Sequence, residues 1–419
     1  MDVYLDHAAT TPLRPEAREA WLAAAESVGN ASSIHGAGQS ARRLLEDARE
    51  RLAAALDCDP VEVVFTSGGT ESVNLGITGL YRARREMTGR TAVVAPTAEH
   101  HATLDTLAWL SAHEVADLEE VPVDLDARVD LSAWESAVGG GDAAAATLLA
   151  ANNEVGTLQP LVAASAACAE AGVPLHVDAV GAFGHVPLSF RALRSASGSG
   201  SAGLVALSVA AHKLGGPVGV GALVVAREAR VEPLLHGGGQ QRGIRAGSQD
   251  APGAAAFAIA AELAVAELAE EAARMGGLRD RLESGLRERI PGMRPSASRA
   301  ERLPGHFHAV FPGAQGDSLL LLLDAAGIAV STGSACQAGV PEPSHVVRAM
   351  GLGDDAARSA LRLTLGRTTT AADVDAVIAV FRPRTSGPAR PGCPRAGLAL
   401  PDSPEASARR LVSCAYSRR

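Results

Sequence analysis

One lysine stands out because the rest of the chain does without that residue. Lys213 is the only lysine among the 38 lysine and arginine residues of this 419-residue protein. A lysine amine can lose its proton and add to a carbonyl, whereas a guanidinium stays protonated at any usable pH. Lys213 is therefore predicted to act as a Schiff-base lysine. The alternatives are a lysine paired with a buried acid and a surface lysine retained by chance.

A glycine-rich turn and an acidic residue complete a pattern with Lys213. Residues 66–72 (TSGGTES) lie between a predicted strand and a predicted helix, where backbone N–H groups and the helix dipole can bind an anion. Taken alone, the turn also fits a simple capped helix start. Asp178 ends another predicted strand, either as an acid at the binding edge or as a cap. A phosphate anchor, an acid and an amine are what pyridoxal 5'-phosphate requires, so the combination predicts this cofactor.

His100 and Cys336 are the remaining candidates for chemistry. His100 precedes a predicted helix, where its ring could stack on a cofactor and exchange protons, or could only cap the helix. Cys336 lies among small residues in the stretch 331–339 (STGSACQAG). Structural cysteines normally pack in apolar surroundings, so this one is predicted to be reactive. No metal site is predicted, because the five cysteines are scattered along the chain.

The composition indicates a globular protein whose partners are small molecules or other proteins. The chain is 47% hydrophobic and carries a net charge of −9, which argues against nucleic-acid binding as its main role. Five scattered cysteines favour a reducing compartment over a disulfide framework. The N-terminal residues lack a signal-peptide pattern, and no uncharged apolar run reaches the ~18 residues of a membrane span. We therefore expect a cytoplasmic protein with no membrane and no direct nucleic-acid partner.

Strands and helices are predicted to alternate along the chain. This alternation favours an α/β fold, a mostly parallel sheet covered by helices, with a binding crevice at the carboxyl ends of the strands. The predicted strands are residues 61–65, 91–95, 146–151, 175–178, 204–209, 306–311, 328–330 and 361–365. The predicted helices are residues 15–27, 37–56, 70–85, 101–111, 161–171, 317–326 and 370–381.

Two domains and a tail are predicted from the length and the composition. Residues 1–252 form the cofactor-binding large domain, and their N-terminal segment contributes to the small domain. Residues 253–382 hold a long bridging helix, at 253–290, and a smaller α+β C-terminal domain with the cysteine loop. The Gly- and Ser-rich residues 195–203 are predicted to be a flexible surface loop. Residues 383–419, rich in Pro, Arg and Ser, are predicted to be a disordered tail.

Seven short motifs carry a resemblance to a known family. The chain resembles the cysteine desulfurases of the NifS/IscS type, in the class V aminotransferase group of fold-type I pyridoxal phosphate enzymes. The similarity covers roughly residues 3–381. The motifs are YLDHAATT at 4–11, TSGGTESVN at 66–74, NNEVG at 152–156, HVDA at 176–179, HK at 212–213, GGGQ at 237–240 and SAC at 334–336.

The resemblance implies a role for each matching residue. Lys213 would bind the cofactor covalently, Asp178 would pair with its pyridine nitrogen, and His100 would stack on its ring and take part in catalysis. Cys336 would be the nucleophile. The residues implied for the cofactor phosphate are Gly69, Thr70, His212 and, from the partner subunit of a homodimer, Ser248. Those implied for the phenolic oxygen and the substrate carboxylate are Asn153, Arg362 and Asn30.

The reaction that the resemblance implies is the desulfuration of L-cysteine. L-Alanine would be formed, and the sulfur would remain as a persulfide on Cys336 for transfer to an acceptor protein. That acceptor would be an iron–sulfur scaffold or a tRNA-thiolating enzyme. The alternatives are another class V reaction, such as selenocysteine cleavage or transamination of a small amino acid, and a non-catalytic scaffold paralogue.

Two positions depart from the family pattern. Gly181 stands where a glutamine usually bonds to the phenolic oxygen of the cofactor, and Ala210 stands where a serine usually binds the phosphate. Both departures predict weaker binding of the cofactor. The residues for covalent attachment and for acid–base chemistry are intact.

Overall fold

The computed structural model covers most of the chain. Cys336 and the predicted tail at 383–419 fall outside the residues that it describes, so those predictions are untested. The described residues are 3–198, 200–297, 300–333 and 342–381.

The strands of the described residues form one large sheet and two small ones. In chain order they are β1 (Val3–Tyr4), β2 (Val63–Thr66), β3 (Ala92–Pro96), β4 (Asp117–Val121), β5 (Ala143–Leu149), β6 (Pro174–Asp178), β7 (Gly203–Ala210), β8 (Gly221–Val225), β9 (Arg294–Pro295), β10 (His306–Val310), β11 (Ile328–Ala329) and β12 (Ala360–Thr364).

The large sheet contains seven strands in the order β2-β8-β7-β6-β5-β3-β4. Strand β8 runs antiparallel to both of its neighbours, β2 and β7, and the other neighbouring strands pair in parallel. Strands β5 and β7 are buried along their whole length and mostly apolar, as expected for parallel strands covered on both faces. The predicted mostly parallel sheet with covering helices is confirmed. The carboxyl ends of β5, β6 and β7 meet at one edge, which is where such sheets bind ligands.

Helices pack against this sheet and against each other. They are α1 (Pro15–Ala25), α2 (Gly36–Leu56), α3 (Gly69–Thr88), α4 (His101–Glu114), α5 (Leu131–Gly139), α6 (Leu161–Glu170), α7 (Phe190–Ser197), α8 (Ala251–Ala266), α9 (Leu268–Arg289), α10 (Gly316–Asp324), α11 (His345–Ala349), α12 (Gly353–Arg358) and α13 (Ala371–Val380).

Helix α3 approaches the sheet closely, and this places its N-terminus at the binding edge. A Cβ atom on Gly76 would lie 2.6 Å from Cδ2 of His176 on β6, so only glycine fits there. At the start of the helix, a Cβ atom on Gly69 would lie 2.8 Å from Cγ2 of Val180 in the turn after β6. The first turn of α3 is therefore held against the residues that follow Asp178.

A second apolar core lies outside the large sheet. Strand β10 pairs antiparallel with β9 and β12, and β1 pairs parallel with β11. Leu5, Phe307, Leu363 and Phe381 are almost fully buried in this core. The first residues of the chain thus pack with elements near its other end, and the segment that follows β1 runs from this core toward the large sheet.

The structure differs from the predicted elements in several places. The helical region predicted at 253–290 is two helices, α8 and α9, bent by 70°. Residues 195–197 belong to α7 and not to the loop predicted at 195–203. Strand β4 was not predicted, because its sequence DLEEV does not alternate between apolar and polar residues, and its first four residues are exposed. The elements β8, β9, α5, α7, α11 and α12 were also missed. In the part of the chain that the structure describes, no single helix has the length and apolar composition of a membrane span, and only α8 and α9 taken together meet that measure.

Candidate active site

A cavity of about 420 Å³ opens at the carboxyl edge of the large sheet, beside the second core. Eight of the predicted site residues line this cavity. They come from six places in the fold, namely the start of α3, the turn before α4, the loop after β5, the end of β6, the turn after β7, and β12. Those that line the cavity are Gly69, Thr70, His100, Asn153, Asp178, His212, Lys213 and Arg362.

Lys213 lies in a short 3-10 turn directly after β7. Its Nζ atom donates hydrogen bonds to the carbonyl oxygen of Ala8 and, at 3.0 Å, to that of Ala9. Burial, and after it the positive charge of Arg362, lowers the pKa of the Lys213 amine to about 8. A fraction of this amine is therefore neutral near pH 7, and a neutral amine can act as a nucleophile or a base.

Asp178 is the last residue of β6 and is buried. Its Oδ1 atom accepts a hydrogen bond from the backbone N–H of Val180 at 2.9 Å, so the residue also caps the turn, as the alternative interpretation predicted. Burial raises the pKa of Asp178 to about 6, and the nearby Lys213 opposes this shift. A carboxylate held in such a site gains strongly from a cationic partner. A protonated ring nitrogen would supply that partner.

His100 both caps α4 and lines the cavity. Its Nδ1 atom accepts a hydrogen bond from the backbone N–H of Ala102 at 3.0 Å. Burial, followed by the charge of Lys213, lowers the pKa of His100 to about 4. The ring is therefore neutral near pH 7, and because Nδ1 accepts, its proton resides on Nε2. The capping role and the cavity-lining role are compatible.

The start of α3 lies where the sequence predicted an anion site, and its first turn lacks a capping side chain. The residue before the helix is Gly68, with φ 150° and no side chain that could cap the first turn. The first N–H groups of a helix have no acceptor within the helix, so they remain available to a ligand. His212 lies close by in the cavity wall, and burial lowers its pKa to about 4, which keeps the ring neutral.

The two departures from the family pattern lie in the same region. Gly181 lines the cavity, and a Cβ atom there would meet only the carbonyl oxygen of Ala151, at 3.6 Å. The Cβ atom of Ala210 lies 3.6 Å from the position that a Cβ on Gly69 would take. A glutamine and a serine at these two positions would therefore face the ring site and the anion site respectively.

Arg362 and Asn153 present unsatisfied polar atoms to the cavity. The guanidinium donates from Nη1 to the carbonyl oxygen of Asn153 at 2.8 Å and from Nη2 to Oδ1 of Asp6 at 2.8 Å. Its Nε atom and the Oδ1 atom of Asn153 are buried without a hydrogen-bond partner. Buried polar atoms are almost always paired, so these two mark the place of a ligand.

Asn30 and Ser248 do not line this cavity. Both are exposed, and Oδ1 of Asn30 accepts a hydrogen bond from the backbone N–H of Ser32 at 2.9 Å. Ser32 and Gln249 instead line a second cavity, of about 680 Å³. Within one chain, Asn30 and Ser248 are therefore not part of the cavity that contains Lys213.

Sequence reasoning missed several residues of the cavity wall. His7 belongs to a motif that was recognised without being given a role, and His101 follows a histidine that was chosen. Asp6, in the same motif as His7, does not line the cavity but binds Arg362, which does. The sequence around His306 and around Met275 gives no indication that these residues line the cavity, because each reaches the cavity wall through the packing of a distant element.

Cys58 and Cys168 are poor alternatives to Cys336 as a nucleophile. Both are buried, and burial raises the pKa of each thiol to about 12. A protonated buried thiol does not attack, since the thiolate is the reactive form. Among the described residues, no group of three His, Cys, Asp or Glu side chains is arranged to hold a metal ion.

Comparisons with known proteins agree on one family. A family model described as aminotransferase class-V matches residues 3–377. An IscS-like cysteine desulfurase of Mycobacterium tuberculosis is 48% identical over 381 residues, which cover 90% of this chain and 95% of that protein. A solved NifS-like protein matches with a TM-score of 0.82 and 34% identity, over 90% of this chain and 98% of its own. A structure titled SspA in complex with cysteine matches with a TM-score of 0.72 and 27% identity, over 87% and 98%.

Proposed function

Since the chain belongs to the aminotransferase class-V family and is a pyridoxal-phosphate-dependent cysteine desulfurase, we propose a role in this reaction for each of its main cavity residues. The predictions of the family, the fold class, the cofactor and the activity from sequence are confirmed. The observation that supports the roles proposed below is the convergence of Lys213, Asp178, Arg362 and the open start of α3 on one cavity.

The residues of the cavity fit the cofactor. The uncapped first turn of α3, with Gly69, Thr70 and the neutral ring of His212, would hold the phosphate. Asp178 would pair with the pyridine nitrogen, and Asn153, whose Oδ1 has no partner, would lie beside the phenolic oxygen. When bound, pyridoxal phosphate supplies an electron sink that acidifies the Cα proton of an amino acid.

Lys213 would then move the proton at Cα. A pKa of about 8 leaves its Nζ basic enough to take that proton and neutral often enough to do so near pH 7. His100 would stack over the cofactor, with its Nε2 proton available for donation. Arg362 would bind the substrate carboxylate through its unpaired Nε and a second N–H, a bidentate arrangement that fixes Cα relative to Lys213.

Cys336 would receive the sulfur. As a thiolate, its sulfur would attack the sulfur of the bound cysteine, a new S–S bond would form, and the Cβ–S bond of the substrate would break. The electron pair of that bond would stay with Cβ, which is protonated to give alanine, while Cys336 keeps a persulfide. Gly333, shortly before Cys336 in the chain, lines the cavity, which supports this assignment, and the burial of Cys58 and Cys168 argues against either of them.

A homodimer would complete the site. Ser248 and Asn30 are exposed and do not line the cavity of their own chain, which supports a contact across an interface. Val28 is 87% exposed and Ile34 is 91% exposed, on the same segment as Asn30. Exposed apolar side chains beside functional residues are typical of an interface. The partner subunit's Ser248 would thus contribute to the phosphate site.

Complementation between subunits tests this arrangement. Lys213→Arg and Ser248→Ala chains, each defective as a homodimer, are unfolded and refolded together. If Ser248 acts across the interface, the mixed dimer contains one intact site, and activity and cofactor affinity return for up to half of the sites. If Ser248 acts within its own chain, the mixture stays as defective as the separate variants.

The acceptor of the sulfur is proposed to be a cytoplasmic iron–sulfur scaffold or a tRNA-thiolating enzyme. The reaction itself is tested by incubating the purified protein with L-cysteine and a reducing thiol. Alanine and sulfide should appear in equal amounts. Turnover of selenocysteine, measured alongside, separates a desulfurase from a selenocysteine lyase, and formation of a keto acid without alanine would contradict the proposed chemistry.

A further inference from the structure

Arg362 is bound to an acidic side chain for which the proposed chemistry has no use. Oδ1 of Asp6 lies 2.8 Å from Nη2 of Arg362, and the two side chains are 22% and 7% exposed. The Nη1 atom of Arg362 is occupied by the carbonyl oxygen of Asn153. The charge of the guanidinium is therefore already balanced, and its buried Nε remains the unpaired donor.

The main chain fixes Asp6 beside the strand that carries Arg362. The backbone N–H of Thr364 on β12 donates to the carbonyl oxygen of Leu5 at 2.7 Å. The Tyr4 hydroxyl donates to the carbonyl oxygen of Asp6 at 3.0 Å. Asp6 is thus held in place by contacts that do not involve its carboxylate, and the carboxylate is free to act on Arg362.

The same segment also holds the amine. The carbonyl oxygens of Ala8 and Ala9 accept hydrogen bonds from Nζ of Lys213. Arg362 lowers the pKa of Lys213, and Asp6 raises it. The charge of Asp6 therefore acts both on the Arg362 guanidinium and on the Lys213 amine.

We propose that Asp6 is a positioning residue of the substrate carboxylate site, where it orients the Arg362 guanidinium and balances its charge. The site then binds the single carboxylate of a neutral amino acid and releases it after reaction. The inference rests on the proposed function, because Arg362 is taken there as the group that binds the cysteine carboxylate. An unbalanced buried guanidinium would hold any carboxylate tightly. With Asp6 present, the Asp6 carboxylate, the Arg362 guanidinium and the bound carboxylate together carry a net negative charge. This charge favours departure of alanine and disfavours binding of acidic amino acids.

Two substitutions separate the charge of Asp6 from its geometry. Asp6→Asn keeps an oxygen that can accept from Nη2 of Arg362 and removes the negative charge, whereas Asp6→Ala removes both. The matched control is Asp375→Asn on α13. Asp375 also pairs with an arginine, Arg281, at 2.8 and 2.6 Å, but Arg281, unlike Arg362, does not line the cavity.

Steady-state kinetics of the holoenzymes are the first measurement. For Asp6→Asn, the KM for cysteine and the inhibition constants of alanine and aspartate should fall roughly three- to tenfold, because the guanidinium is no longer balanced. For Asp6→Ala, the KM should rise by about tenfold with a smaller change in kcat, because the guanidinium is no longer oriented. Asp375→Asn should match the wild type.

The single lysine of the chain allows a second measurement that does not depend on activity. Reductive methylation with ¹³C-formaldehyde of the full chain, freed of cofactor, labels Lys213 and the N-terminal amine, and Lys213→Arg identifies the second signal. The other groups that face Lys213 are the same in every variant, namely Asp178, Arg362 and the neutral rings of His100, His185, His212 and His306. Asp6→Asn should lower the pKa of Lys213 by roughly half a unit, and Asp375→Asn should not change it.

The outcomes distinguish this inference from the proposed function. If Asp6→Asn and Asp6→Ala raise the KM equally and leave the pKa of Lys213 at its wild-type value, Asp6 is only a structural residue and the inference is overturned. If the wild type forms no alanine from cysteine, the proposed function fails instead, and the assignment of a cysteine carboxylate to Arg362 fails with it.

Discussion

Nζ of Lys213 donates a hydrogen bond to the carbonyl oxygen of Ala9 at 3.0 Å. Lys213 follows β7 of the large sheet, whereas Ala9 follows β1, which pairs with β11 in the second core. The Lys213 amine is therefore held at the junction of the two cores. Covalent attachment of the cofactor at Nζ, as proposed, would compete with this contact.

Lys213→Arg should fold and keep its positive charge but lose covalent attachment of the cofactor, because a guanidinium does not add to an aldehyde near neutral pH. Borohydride reduction followed by peptide mapping should label Lys213 in the wild type and nothing in the variant. Desulfuration should drop by several orders of magnitude, on the order of 10³ or more. A label elsewhere in the wild type would contradict the assignment of this residue.

Cys336→Ser should bind the cofactor and cysteine normally, because the groups proposed for those steps are Lys213, Asp178, Arg362 and the start of α3. It should form no protein persulfide, since a hydroxyl is a far poorer nucleophile toward sulfur. Mass spectrometry of the protein after exposure to cysteine measures the persulfide. The matched control is Cys168→Ser, a buried thiol whose loss should leave the persulfide in place; persulfide on Cys58 or Cys168 with undiminished turnover would refute the choice of Cys336.

Gly181→Gln combined with Ala210→Ser should tighten binding of the cofactor. Gly181 has room for a side chain, and Ala210 lies beside Gly69 at the anion site. Each hydrogen bond to a charged group contributes roughly 1.5–3 kcal/mol, so the dissociation constant should fall by about two to four powers of ten. Dialysis followed by absorbance of the retained cofactor gives the measurement, with each single variant as a control. Equal affinities would show that other groups already replace these contacts.

Glu99→Gln should raise the stability of the cofactor-free protein at alkaline pH. Glu99 is fully buried, its Oε1 accepts from the backbone N–H of Leu149 at 2.8 Å, and its Oε2 has no partner. Burial raises its pKa from 4.5 to about 8. The folded state therefore retains a proton that the unfolded chain releases, and the wild type loses stability as the pH rises from 4.5 toward 8.

Glutamine mimics the protonated acid and does not titrate, so the variant should escape this loss. At pH 8 its free energy of unfolding should exceed that of the wild type by about 2 kcal/mol or more, and the difference should shrink toward pH 4.5. Urea unfolding at several pH values measures it. Glu135→Gln, an exposed acid on α5, serves as the control and should show no such trend; the same pH dependence in both variants would contradict the role of burial.

Much of this protein was predictable from its sequence, because the necessary signals are local. The uniqueness of Lys213 needs no structure to be noticed, and Asp178 and the turn at Gly69 lie where a predicted strand ends. Since parallel strands present their carboxyl ends at one edge, alternation of strands and helices was enough to place these residues together. The fold class and the cofactor follow from such short-range patterns.

Only the tertiary structure decided which groups are paired and which are buried. The Asp6–Arg362 pair joins the two ends of the described chain, and no local pattern predicts its contact. Whether Asn30 and Ser248 reach their own cavity depends on how distant loops pack. The pKa shifts of Lys213, Asp178 and Glu99 follow mainly from desolvation, which is set by the neighbours that the fold supplies and not by adjacent residues.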